Sequence, residues 1–204
     1  GHAYSKSMEH DACGVGLIAS TEGKKSRKVV EYGINALKAV FHRGAVDADG
    51  KTGDGAGIHL EIPSDFFREK IELTGHKHDG SEICVGMIFL PRNNYEAQEN
   101  ARTLVESELT KSNFSIYGWR QVPVNTKVLG EKANFTRPEI TQVLFKNNDK
   151  NLTGKSLERK IYESRRKIEK EAIKNALEGF YICSLSSKSI IYKGMFLAES
   201  IADF

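Results

Sequence analysis

Asp11-Ala12-Cys13-Gly14-Val15-Gly16-Leu17-Ile18-Ala19 puts a cysteine at the head of a short apolar run in which two glycines carry no bulk. The run reads as a strand that Cys13 opens, with Gly14 and Gly16 letting a backbone or a small substrate approach the sulfur. A thiol in that setting is presented as a nucleophile; the plainer reading makes Cys13 a small apolar residue at a strand start. Glu9, His10 and Asp11 crowd the adjacent positions, too close along the chain for all of them and Cys13 to reach one ion without an unusual loop. No metal is expected here.

Working outward, the 204 residues fit one domain or at most two small ones, and 39% hydrophobic residues suffice for a sizeable core. A formal charge of +3 is too slight to imply nucleic acid or a membrane surface as partner. Cys13, Cys84 and Cys183 are odd in number and widely spaced, which argues against a disulfide framework or a structural zinc site and makes a reducing cytoplasm the simplest setting. No apolar run approaches the roughly 20 residues that span a bilayer. Residues 1–12 are polar and aperiodic, unlike an export signal, and read as a leader ahead of Cys13.

Strands and helices alternate along the chain. Ser26 is a good N-cap for a helix whose Val29, Val30, Ile34, Leu37, Val40 and Phe41 share one face and which ends at His42-Arg43-Gly44. Lys51-Thr52-Gly53-Asp54-Gly55-Ala56-Gly57 is glycine-rich, but it precedes the alternating strand Ile58–Ile62 rather than a helix, so close backbone approach fits it better than a phosphate cradle. A short helix starts at Pro63, and Thr74–Ser81 is an exposed turn with solvated His76 and His78. Ile83–Leu90 is a strand buried on both faces and stopped by Pro91. A helix over Asn94–Lys111 turns Ala97, Ala101, Leu104, Val105 and Leu109 inward, and strands follow at Phe114–Val124 and Ile140–Lys146. A long helix over about Ser156–Leu177 buries Leu157, Ile161, Ile168, Ala172 and Ala176, its basic and acidic residues mixed as on a solvated face. Phe180–Leu185 and Ser189–Lys193 form a hairpin around Ser186-Ser187-Lys188, with Cys183, like Cys84, in the core. The pattern is α+β, with one mixed sheet and two packed sheets both open at this level.

Read together, Glu9-His-Asp-Ala-Cys13-Gly-Val-Gly16, Phe41-His-Arg43-Gly-Ala45 and Lys51–Ile58 resemble the class II glutamine amidotransferase domain at the N-terminus of glutamate synthase large subunits. The likeness continues in order through Gly86–Pro91, Gly118–Pro123, Ser184–Ser187 and Tyr192–Met195, nearly the whole chain. It implies an N-terminal-nucleophile hydrolase fold, a four-layer αββα sandwich of two antiparallel-rich sheets between helices, here incomplete at its C-terminal side. The implied reaction is hydrolysis of the glutamine side-chain amide by Cys13, with the domain spanning 13–204 behind a leader of residues 1–12. Cleavage between Ala12 and Cys13 would free an α-amine with an unperturbed pKa near about 8 to act as base. Arg43 would support the thiolate, and Gly53, Asp54 and Gly55 would shape a substrate loop beside it.

The resemblance further implies glutamine as substrate, ammonia passed to downstream synthase domains of a parent chain that make glutamate from 2-oxoglutarate, and a possible small subunit. FMN and an iron-sulfur cluster would belong to the rest of that parent; no cofactor is expected in these residues. One departure stands out. The family's oxyanion-binding Asn-Gly pair and its Ser-Arg-Phe-Ser substrate block do not occur in these 204 residues. Losing an oxyanion donor costs roughly a hundred- to a thousand-fold in rate, so these residues alone are expected to be weakly active or inactive. The alternatives are the glutaminase domain of another class II amidotransferase, or a noncatalytic domain that keeps Cys13 for packing.

Overall fold

The computed structural model describes residues 14–40 and 46–204. Its central element is β2 (Ile83–Leu90), the apolar run that Pro91 stops. β2 pairs antiparallel with β4 (Glu139–Asn147) along one edge, from Ile83 opposite Lys146 to Leu90 opposite Glu139, and with β5 (Tyr181–Ser186) along the other. β3 (Phe114–Gln121) adds to the far edge of β4, giving the order β3-β4-β2-β5. A bulge at Cys183 shifts the register from Met87 opposite Ser184 to Ile88 opposite Ile182.

The two faces of this sheet are covered differently. Cys84, Ile88, Val143, Phe145 and Ile182 meet Ala101, Val105 and Leu109 of α3 (Tyr95–Lys111) and Leu157, Ile161 and Ile168 of α5 (Gly154–Lys174). On the other face Arg120 bonds Gln142 and lies over the ring of Phe66 in α2 (Ser64–Leu73), whose Phe67 and Ile71 are buried. Gly86 has no room for a side chain, because a Cβ there would stand 2.6 Å from Leu185 Cδ1 and 2.7 Å from Val143 Cγ1.

The helices start and stop for local reasons. Asn94 caps α3 by accepting the N–H of Ala97, as its sequence predicts. The inner face includes Gln98 in place of the expected Ala97 and Leu104, which are only half-buried. Gln98 is buried because its amide donates to the carbonyls of Pro91 and Arg92. Ser164 likewise sits inside α5 by donating its hydroxyl to the carbonyl of Lys160. α5 ends before Ala176, which is exposed rather than inward. Ala176 takes φ +49°, and the N–H groups of Ala176 and Leu177 bond back to Ile173 and Ala172, the glycine-type helix stop made with an alanine.

The expected hairpin of the last two strands does not form. β6 (Ser189–Gly194) pairs with β1 (Ala56–Glu61) in a separate two-stranded sheet, so the described residues form two sheets. The backbone of β5 is spent on β2. Ser186 Oγ accepts the N–H groups of Lys188 and Ser189, while Glu158 takes the Ser187 N–H and the Ser186 hydroxyl, turning the chain away. β3 stops at Gln121 rather than Val124.

The backbone groups into two compact units, one from the described parts of 1–58 with 125–135 and 193–204, the other from 59–124 with 136–192. The second holds the four-stranded sheet. In the first, α1 (Arg27–Ala39) is capped by Ser26 as expected, but ends at Val40, whose N–H closes a tight final turn on Leu37. None of its residues is buried. The strand expected from Gly14 onward is absent: residues 14–20 have no regular structure, and Val15 and Leu17 are 90% and 89% exposed. A strand exists only with a ladder partner, and among the described residues none lies beside this run. A short helix that periodicity does not reveal, α4 (Glu131–Thr136), contributes Ala133 to a small core with Leu129 and Phe196.

Gly86→Ala is expected to lower stability by about 1–3 kcal/mol, because Leu185 and Val143 must move to admit a methyl group; a lowered urea midpoint checks this. Ala176→Gly should raise stability by ~1 kcal/mol by relieving the left-handed backbone of its Cβ, read as a raised midpoint at unchanged slope.

Candidate active site

Of the residues singled out by sequence, Ala12, Cys13 and Arg43 lie outside the described residues; Gly53, Asp54 and Gly55 lie within them. The described flanks of all three motif blocks belong to one unit. Gly14, next after Cys13, runs against the end of α1, where a Cβ would stand 3.0 Å from Cβ and Cγ2 of Val40. Val46, the first described residue after the Arg43 block, forms an antiparallel bridge with Gly53.

Between the bridge partners the chain makes a closed loop. The Asp47 N–H donates to the Thr52 carbonyl at 2.8 Å, and the Gly50 N–H to the Asp47 carbonyl at 2.9 Å, with Gly50 at φ +69°. Asp49 fills the loop with its carboxylate. Oδ1 accepts the N–H groups of Lys51 at 2.9 Å and Thr52 at 2.7 Å, and Oδ2 accepts the buried Thr52 hydroxyl at 2.6 Å. These donors, the Thr52 hydroxyl foremost, hold the Asp49 carboxyl down at about 2. Asp47 is lowered too, chiefly by Lys132 Nζ at 2.8 Å. Gly130 leaves room for this contact: a Cβ there would collide with Asp49 Oδ2 and Thr52 Oγ1.

The loop delivers Gly53-Asp54-Gly55 onto the small core. Gly53 is buried, and a Cβ on it would stand 3.1 Å from the carbonyl carbon and oxygen of Phe196. The close approach expected of this glycine cluster is therefore made here. Gly55 takes φ +128° beside the Gly194 carbonyl, while Asp54 is exposed. Phe196 packs its ring on Phe204, with centroids 4.9 Å apart. Sequence reasoning missed Asp47, Asp49, Thr52, Gly130 and Lys132. The signal for the first three was present in Asp47-Ala-Asp-Gly-Lys-Thr52, a run of side chains that bond the backbone a few residues on.

The two described cysteines are not presented as nucleophiles. Cys84 and Cys183 are buried, and burial, helped by the nearby charges of Glu82 and Glu158, pushes the Cys84 thiol well above its ordinary value. His78 is held by its own turn, with Nε2 at 2.9 Å from the Ser81 carbonyl, rather than simply solvated. With three cysteines in the sequence and two of them in the core, these residues do not fit an iron-sulfur cluster. Among the described residues no three His, Cys, Asp or Glu side chains gather as metal ligands, and no helix is long and apolar enough to cross a membrane.

Comparison with known proteins agrees with the order of the motifs. The family model for class-II glutamine amidotransferases matches residues 13–204. The chain is 54% identical over 203 residues to the glutamate synthase [NADPH] large chain of Azospirillum brasilense, all of this chain against 13% of that one. It is 38% identical to ferredoxin-dependent glutamate synthase 2 of Synechocystis and 38% identical to ferredoxin-dependent glutamate synthase 1 of Arabidopsis thaliana, in each case 96% of this chain against 12% of the relative. It thus spans about an eighth of the length of these relatives. With the match running from Cys13 to the last residue, the chain belongs to the class-II glutamine amidotransferases, a family with the N-terminal-nucleophile hydrolase fold.

Proposed function

We propose that this chain is the glutamine-hydrolysing part of a glutamate synthase large subunit, with Cys13 as nucleophile. The observation that carries the proposal is that the family match begins at Cys13 and leaves residues 1–12 outside it. Removal of residues 1–12 converts the Cys13 amide nitrogen into a free amine. That amine takes the thiol proton as Sγ attacks the glutamine side-chain carbonyl carbon. The tetrahedral intermediate then collapses with the carbon–nitrogen bond breaking, the proton passes to the departing nitrogen, and ammonia leaves a thioester. Water cleaves the thioester to glutamate and the free thiol. Arg43 supplies a fixed positive charge that favours thiolate, and Gly53-Asp54-Gly55 shape the wall along which the substrate lies.

In the parent protein the ammonia goes to the synthase domains, which hold FMN and an iron-sulfur cluster outside these residues. The higher identity to a protein named a large chain supports a parent that assembles with a smaller subunit.

The test is glutamine-dependent ammonia release by the full-length parent. A variant that stays uncleaved at Ala12 should lose ~10²–10⁴-fold, the usual worth of a positioned base; wild-type release from uncleaved protein would sink the proposal. An electrophilic glutamine analogue should label Cys13 in processed protein and spare Cys84 and Cys183. Peptide mapping that finds Cys13 unlabelled would favour a packing role for it.

A further inference from the structure

We infer that Asp49, held between Thr52 and the start of α4, is a positioning residue that sets the affinity for glutamine by fixing the Gly53-Asp54-Gly55 segment. The inference rests on the glutaminase reading above and names a device within that site.

Three observations converge on it. First, the Asp49 carboxylate serves the N–H groups of Lys51 and Thr52 and the Thr52 hydroxyl at once, while lying against Gly130, a residue far away in sequence. Both oxygens are engaged, so the side chain has little rotational freedom left. Second, the α4 side of the contact is shaped for it. Gly130 has no positive φ to require glycine, and the space a Cβ would need is filled by Asp49 Oδ2 and Thr52 Oγ1. Third, the loop is short and closed. Thr52 is 2% exposed, and the next residue, Gly53, is pinned on one side by Val46 and on the other by the Phe196 carbonyl. A shift at Asp49 therefore passes directly to Gly53 and to the exposed Asp54 that follows. The ion pair of Asp47 with Lys132 spans the same two segments, but its lysine is 67% exposed and contributes little by itself.

The order of the chain suits such a role. The loop's entry follows the Arg43 block, and its exit is the segment assigned to the substrate wall. A rigid support behind a binding segment is read out in KM when it orders the ground-state complex, and small misplacements there are costly.

The experiment measures glutamine hydrolysis by the processed, full-length parent. Asp49→Asn keeps the size of the side chain and loses one of its two acceptor oxygens. The expected result is a KM for glutamine raised ~10-fold with kcat changed less than ~3-fold. Thr52→Val, which deletes only the buried hydroxyl bond, should raise KM in the same direction, and Thr52→Ser, which keeps that bond, should restore it. Gly130→Ala combined with Asp49→Asn should cost less than the sum of the two single effects, because both break one contact. Glu158→Gln loosens the Ser186–Ser187 turn in the other unit and should lower stability while leaving KM alone. Should Asp49→Asn fail to accumulate, the Thr52 pair decides. Wild-type KM in both Asp49→Asn and Thr52→Val, or a rise matched by Glu158→Gln, overturns the inference. A wild-type parent that releases no ammonia from glutamine overturns the glutaminase reading and this inference with it, and the two failures are told apart by that control.

Discussion

Everything in the larger unit depends on β2 having both edges and both faces occupied. Its N–H and C=O groups are divided between β4 and β5, and its side chains between the α3–α5 layer and the side covered by α2. A central strand of this kind has no exposed polar backbone to satisfy and no freedom to slip, since a one-residue shift would move every side chain to the wrong face. Gly86 marks the tightest point, where the neighbouring strands close over the backbone itself. Around it the polar residues that enter the interior, Gln98 and Ser164 among them, do so with a bond already made.

The unit that carries the candidate site is built on another principle. α1 buries no residue, and among the described residues Phe196, Leu129 and Ala133 form a small cluster. What defines the loop from Val46 to Gly53 is a set of short polar contacts centred on one carboxylate. Directional bonds can fix a backbone where there is too little apolar surface to do so, and they leave the neighbouring surface open to a polar substrate. The same bonds hold the Asp49 carboxyl below the usual carboxylate range.

Much of this was legible in the sequence. β2 could be read because a continuous apolar run ended by proline leaves few alternatives, and α3 because its cap and its period agree. The last two strands misled because adjacency along the chain favours a hairpin, while Glu158, 28 residues earlier than Ser186, and the unpaired edge of β2 decide otherwise. Helix α4 is too short to show a period, and Ala176 follows the helical spacing yet takes a backbone conformation that spacing does not encode. For the site, Gly53-Asp54-Gly55 announced themselves through composition. Asp49 did not, because what it meets is Gly130, more than 80 residues away.

The bare apolar run after Cys13 bears on how the molecule behaves in concentrated solution. Val15 and Leu17 present side chains of strand-forming type to solvent with no ladder partner among the described residues. An apolar segment without ladder partners can pair with an extended segment of a neighbouring molecule. Gly14 and Gly16 weaken that tendency by interrupting the run with residues that resist a fixed strand. The two glycines thus act against self-association, and replacing them with larger, strand-forming residues would make the segment stickier.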